Sequence, residues 1–405
     1  MPADLVIHGG VLIDPAHGIY GPHDLAITGG RVSEVTAAAI PPTAGRQSLD
    51  ARGLLVTPGL IDLHAHVAET IIDLGVAPDR AGVQAGVTTV VDAGSTGYAT
   101  FAAFRRFVLS PASSDVFCFL HLSPVGEAVL PEVGYQAIDQ AAMLAVIDRN
   151  REVIKGIKLR AVANVIGRAD FDAVATARAL ADAAGLPLMV HLGIGLDERT
   201  PPDEVITAFL RRLLAALRPG DILTHVYTPK PGGVIGPDGA TLPEFRQAVA
   251  RGVLLDVAAA AGHLSFETAR AGLAQGLLPT TLSTDITSLI AGRPHFASLT
   301  VLMSKFLALG LSLEQVVAMT TLGPARALNE THRRGSLGIG MPADITLLER
   351  LTGEFVFADG RAGHAIAGRE MLIPRLVIKA GVPHEIAPDL RDPNNLLLTD
   401  PRMHP

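Results

Sequence analysis

The chain has 405 residues, with 33 Lys+Arg against 40 Asp+Glu for a formal charge of −7, and this balance, with no basic run, argues against a nucleic-acid or anionic-membrane partner. A single cysteine, Cys118 in an apolar run, excludes an internal disulfide, and no stretch reaches the roughly 18 apolar residues of a membrane span. The first residues, Met1-Pro2-Ala3-Asp4, lack a basic region leading into an apolar one, so a cytoplasmic protein is expected.

Residues 1 to about 55 read as short strands joined by turns. Leu5-Val6-Ile7 and Val11-Leu12-Ile13 flank Gly9-Gly10, and Asp24-Leu25-Ala26-Ile27 runs into Gly29-Gly30. From about residue 56 the pattern changes to short apolar runs alternating with helical stretches. The runs are Leu60–His66, Val87–Asp92, Val116–Leu122, Ile154–Arg160, Leu186–His191, Ile222–His225, Val253–Val257 and Thr280–Thr284. Helices are expected over Tyr135–Arg149, Phe171–Ala184, Glu204–Leu217, Pro243–Arg251 and Phe266–Gln275. Eight buried-type strands, each followed by a helix, predict a (β/α)8 TIM barrel. Beyond it lie helices at about 296–309 and 312–328, and then strands resume at Ile345–Leu348, Glu354–Phe357 and Arg375–Ile378.

Neither chain end alone has enough strands for a covered core. The expected α/β organisation is therefore a barrel over 56–334 inserted in a small β-sandwich built from 1–55 and 335–385. The stretch 386–405, rich in Pro, Asp and Asn, is expected to be a poorly ordered or surface-draped tail.

In such a barrel, chemistry sits at the C-terminal ends of the strands. Strand 1 ends in His64 and His66. Two residues apart on a strand, they share a face and can converge on one ion. Strand 4 ends near Lys158, strand 5 with His191, strand 6 with His225 and strand 8 with Asp285. The spacing between them corresponds to roughly 30–34 residues per unit, a normal βαβ length. Histidines placed at random in a core would not keep step with the strands, so these six residues are read as a metal site. Strand parity favours Lys158 over Lys155, because the two face opposite ways and Lys158 is nearer the catalytic end. An ammonium cannot ligate a cation. Lys158 is then either a neutral catalytic amine or a carbamate formed with CO2.

Pro58-Gly59-Leu60-Ile61-Asp62-Leu63-His64-Ala65-His66, the Lys158 strand, His191, His225, Ser283-Thr284-Asp285 and the closing Gly338-Ile339-Gly340-Met341-Pro342-Ala343-Asp344 together resemble the amidohydrolase superfamily, over about residues 5–380. The resemblance implies two divalent metal ions, with zinc the expected element. His64, His66, Lys158 and Asp285 would hold one. Carboxylated Lys158, His191 and His225 would hold the other. It further implies that a shared hydroxide attacks a polarised carbonyl and that Asp285 carries the proton to the leaving group.

Within the superfamily, Gly86–Ser95, Gly156–Arg160, His225-Val226-Tyr227 and Gly262–Phe266 look like a dihydroorotase-like deacetylase group. That likeness implies hydrolysis of an ester or amide of an acylated small carboxylate, such as an acetylated α-hydroxy acid or an N-acyl amino acid. A cyclic amidase of dihydroorotase type, a lactonase or phosphoesterase, and a metal-free scaffold relative are the alternatives. The intact ligand positions argue against the last. Homo-oligomers are common for such barrels, but one sequence shows no interface.

Three residues are candidates for substrate binding. Arg160, just past Lys158, is either a fork for a substrate carboxylate or one half of an ion pair with a loop acid. Tyr227 is either a hydroxyl supporting the polarised carbonyl or a rim aromatic. His263, in a small-residue loop after strand 7, either reaches over the substrate or caps the following helix. His121, Ser95 and His295 are weaker candidates.

Overall fold

The computed structural model describes residues 2–130, 133–135, 138–168, 171–195, 199–236, 238–259, 262–291, 298–359, 361 and 364–396. The first strands are β1 (Ala3–His8), β2 (Val11–Asp14), β3 (Ile19–Pro22), β4 (Asp24–Thr28), β5 (Arg31–Thr36), β6 (Gly45–Asp50) and β7 (Leu54–Pro58). The central ones are β8 (Leu60–Ala65), β9 (Val87–Asp92), β10 (Asp115–His121), β11 (Ile154–Arg160), β12 (Leu188–His191), β13 (Ile222–Thr224) and β14 (Leu254–Asp256). The last are β15 (Ile345–Ala358), β16 (Ala365–Lys379) and β17 (Val382–Glu385).

The seven central strands form one curled parallel sheet in sequence order, from β8 to β14. Their β-branched and aliphatic residues are buried throughout, as parallel strands covered on both faces require. Amphipathic helices such as Ala173–Ala184, Asp203–Ala216 and Pro243–Ala250 supply Leu180, Leu210, Leu213 and Phe245 to the surrounding core. A second cluster combines Ile61, Leu63, Val91, Phe117, Phe119, Met189 and Ile222 with Ala325 and Leu328, at the end of the helix Leu322–Ala327.

The expected eighth strand is not continuous. Segment 280–286 makes single parallel bridges, Thr281 with Asp256 and Ile286 with Ala65. It touches both edge strands, because Val257 N–H donates to the Thr281 carbonyl and Asp285 N–H to the His64 carbonyl. Asp285 has φ of 53°, which breaks the extended backbone a strand needs.

The chain ends meet in two further sheets, ordered β5-β4-β1-β6 and β17-β16-β15-β7-β2-β3. Leu5, Ile7, Leu12, Leu25 and Val56 pack with Leu337, Ile345, Leu347 and Ile378 from the other end. β7 pairs with β15 up to Pro58, so this sheet reaches past the expected boundary at residue 55. The expected helix at Tyr135 starts only at Gln140, where the Asp139 carboxylate caps it by accepting from Ala142 N–H.

The tail differs from expectation as well. Ile386, Leu390 and Leu396 are buried against Val301, Met371, Ile373 and Val377, so 386–396 belongs to the packed structure. Residues beyond 396, and His295, lie outside the described residues.

Candidate metal centre

The six expected ligands converge at the C-terminal end of the parallel sheet. His64 Nε2 and His66 Nε2 lie 3.3 and 3.1 Å from Asp285 Oδ1. Lys158 Nζ is 3.1 Å from His64 Nε2. His225 Nε2 is 2.8 Å from His191 Nδ1 and 3.9 Å from Asp285 Oδ2. Two groups thus offer ligand atoms at metal-holding separations: His64, His66 and Asp285; and His191, His225 and His263. All are buried.

Local backbone geometry makes the convergence possible. β13 ends at Thr224, and His225 then takes φ of 65°. Strict alternation would send these neighbours to opposite faces. Instead Thr224 Oγ1 reaches His64 Nδ1 at 2.8 Å while the His225 ring reaches His191. Left-handed φ in a non-glycine residue is costly and concentrates at functional sites. His225 and Asp285 both show it.

A layer of polar groups holds the ligands. His66 Nδ1 is 3.0 Å from Ser95 Oγ, and Ser95 N–H donates to the buried Asp92 carboxylate. His225 Nδ1 is 2.8 Å from the Ala258 carbonyl, so it donates there and leaves Nε2 as the lone-pair nitrogen. Asp62 accepts from Thr284 N–H and its hydroxyl, tying the Asp285 segment to β8, and burial raises its carboxyl to about 7. This pinning of the second ring nitrogen is what metal-binding histidines need, and the donor set of imidazole nitrogens and carboxylate oxygen suits a divalent cation.

Lys158 is fully buried, and desolvation lowers its amine to about 8 despite the nearby Glu127 and Asp285 carboxylates. Room for its side chain comes from Gly94. A Cβ there would stand 2.7 Å from Lys158 Cγ, at a φ of 103°. The histidines differ in charge preference. Burial acts to lower His66, but the carboxylates of Glu127, Asp285 and Asp92 leave it raised. Burial and neighbouring cationic groups hold His191, His225 and His263 well below the ordinary imidazole value. Asp285 stays ionised, because His64 and His66 outweigh its desolvation.

The three substrate candidates separate. Arg160 Nε lies 3.8 Å from Glu127 Oε1, a loop acid, while Glu127 Oε2 lies 3.6 Å from His66 Nδ1. His263 sits in the centre, its ring 4.0 Å from that of His225, with Lys230 Nζ 2.8 Å from its Nε2. Tyr227 corrects the expectation of a carbonyl-supporting hydroxyl. Its ring is fully buried and stacks on Phe306, and its hydroxyl donates to the Leu277 carbonyl at 2.5 Å. That bond commits its only proton to the wall behind the site.

Glu127, Lys230, Thr224 and Asp256 are site residues that the strand-end rule did not reveal. Glu127 and Lys230 sit on loops. Thr224 and Asp256 do end strands, but Thr224 is not a metal-ligand type and the Asp256 carboxylate is taken up by the hydroxyls of Thr224, Thr281 and Ser283.

A family model, the Amidohydrolase family, matches residues 55–362, and the chain belongs to that family. It is a hydrolase of the amidohydrolase class. A deacetylase of Agrobacterium fabrum is 31% identical over 360 residues, covering 88% of this chain and 85% of that one. A deacetylase of Enterococcus faecalis is 28% identical, covering 94% and 99%. Among solved structures, an adenine deaminase superposes with a TM-score of 0.84 at 26% identity, covering 95% of this chain and 100% of that chain. A dihydroorotase superposes at 0.81, also with 26% identity, covering 95% and 99%.

Proposed function

We propose that this hydrolase is a metal-dependent deacetylase that cleaves an ester or amide bond of an acylated small carboxylate. The observation that carries this reading is the pair of ligand groups at the end of one sheet, with Asp285 within 3.9 Å of both and Lys158 Nζ 3.1 Å from His64 Nε2. The deacetylase relatives, matched along most of their length, support the choice of reaction. The organisation that goes with it is an eight-unit barrel closed by segment 280–286, set in a sandwich of the two chain ends that takes in β7 to Pro58.

His64, His66, Lys158 and Asp285 would hold one ion, and Lys158, His191 and His225 the other. Zinc is the proposed element, and the donor set of the centre fits it. Such a pair supplies Lewis acidity toward a carbonyl and acidifies water. The chain supplies the rest. The lowered Lys158 amine is neutral in a substantial fraction near pH 8, as addition to CO2 requires, and the resulting carbamate, formed with release of one proton to solvent, would supply an anion to the centre. The ionised Asp285 carboxylate accepts a proton at Oδ1 or Oδ2 and returns it to the leaving heteroatom. Arg160 and His263, with Lys230 beside it, form the cationic and polar wall that would face the substrate carboxylate.

A cyclic amidase is the second reading, favoured by the dihydroorotase superposition. Acyl release by zinc-loaded protein with bicarbonate distinguishes the two. The panel is matched N-acetyl and O-acetyl α-substituted carboxylates of both hands, beside dihydroorotate. Turnover of an acetylated carboxylate is expected. Turnover of dihydroorotate alone would overturn the deacetylase assignment.

A further inference from the structure

His64 stands within 3.3 Å of both Lys158 Nζ and Asp285 Oδ1, and its usefulness depends on which ring nitrogen carries the proton. Only a nitrogen without hydrogen can face a cation. The groups around its other nitrogen decide this by elimination.

Asp256 ends β14 with its carboxylate fully buried. Its oxygens lie 2.7 Å from Thr224 Oγ1, 2.6 Å from Thr281 Oγ1, and 2.7 and 2.8 Å from Ser283 Oγ. A carboxylate only accepts, so each hydroxyl spends its single proton on Asp256. Thr224 Oγ1 then has only lone pairs to offer His64 Nδ1, 2.8 Å away. That nitrogen must carry the N–H, which leaves Nε2, toward Lys158 and Asp285, as the nitrogen whose lone pair can face a cation.

We propose that Asp256, acting through the Thr224 hydroxyl, is a positioning residue that sets the tautomer of His64. Asp256 and Thr224 are register partners on adjacent strands, so the relay is built into the sheet. Thr281 and Ser283 tie the same carboxylate to the segment that bridges β14 and β8. This inference rests on the metal-centre reading above.

The sharp test is Asp256→Asn, which keeps shape and replaces one of the two acceptor oxygens with an amide donor. With its amide nitrogen toward Thr224, the asparagine donates there, freeing the hydroxyl proton to point at His64 Nδ1 and moving the ring proton to Nε2. Full-length protein would be compared as wild type, Asp256→Asn, Thr224→Val, Thr224→Ser and Ser283→Ala. The readouts are zinc affinity and stoichiometry, and the 15N shifts of the His64 ring in metal-free protein, assigned by difference from His64→Gln.

Asp256→Asn and Thr224→Val should each lose about 10- to 100-fold in zinc affinity, the usual cost of removing a partner behind a ligand. Asp256→Asn should also move His64 to the other tautomer. Thr224→Ser should bind as wild type does. Ser283→Ala, which takes one hydroxyl from Asp256 and leaves Thr224 bonded to it, should keep the wild-type His64 tautomer. Wild-type affinity in both Asp256→Asn and Thr224→Val, with the His64 tautomer unchanged, would overturn the relay while leaving the centre standing. Equal damage in Thr224→Ser and Thr224→Val would overturn it too, as a packing effect. A wild type that binds no zinc at all would overturn both the relay and the centre beneath it.

Discussion

The two ligand groups look alike in composition and differ in charge. His64 and His66 share Asp285, and the surrounding carboxylates hold His66 above its ordinary value. His191, His225 and His263 contain no acid of their own, and burial with cationic neighbours holds all three well below theirs. The first group is compensated for a cation in advance. The second is a neutral imidazole cluster, with Asp285 Oδ2 3.9 Å from His225 Nε2 and Lys230 Nζ 2.8 Å from His263 Nε2. The lesson is that the second group needs an anion from elsewhere, and a carbamate on Lys158 is the proposed source.

The largest effect should come from the shared carboxylate. Asp285→Asn should keep metal but lower kcat by about 100- to 10,000-fold, the range of general acid–base contributions. Activity within tenfold of wild type would remove Asp285 from proton handling. Next, Lys158→Met should bind metal at the His64 group more tightly than at the His191 group, so titration should give one site where wild type gives two. Equal weakening of both would break the contrast between the groups. Reconstitution of metal-free wild type with zinc and bicarbonate should speed up as pH rises through about 8, as the Lys158 amine loses its proton.

Gly94→Ala asks how tightly Lys158 is fitted. The added methyl meets Lys158 Cγ and strains a left-handed backbone, so about 1–3 kcal/mol of stability should go, with zinc uptake falling beside it. Unchanged uptake would show that Lys158 has room to spare. Lys305→Met tests burial away from the centre. Burial lowers Lys305 from 10.5 to about 7, so between those values the unfolded chain holds a proton that the folded one has released. Wild-type stability should therefore rise with pH across that window, by at most about 1.4 kcal/mol per unit, and the variant should flatten the rise. The smallest effect on turnover belongs to Tyr227→Phe. It should cost about 1–3 kcal/mol in stability by stranding the Leu277 carbonyl, with kcat near wild type. A large loss of kcat would put the hydroxyl back in the reaction.

Much of the centre was legible in the chain because parallel strands impose periodicity. Seven of eight apolar runs became strands, and His64, Lys158, His191 and His225 lie within two residues of the ends of theirs. Those features are local: side-chain alternation, apolar run length and βα spacing are written residue by residue. The eighth run was misread because its backbone must turn at Asp285 to bring the carboxylate inward, a demand set by β8 and β14 rather than by its own sequence. Tyr227 was misread because its hydroxyl partner lies 50 residues on, at Leu277. The burial of Ile386, Leu390 and Leu396 likewise depends on partners from distant segments. Sequence alone determined which side chains could be ligands and at which strand ends they stand. Tertiary structure decided which ring nitrogen faces the centre and which cation meets which acid, because hydrogen bonds and charge compensation depend on neighbours that only folding brings together.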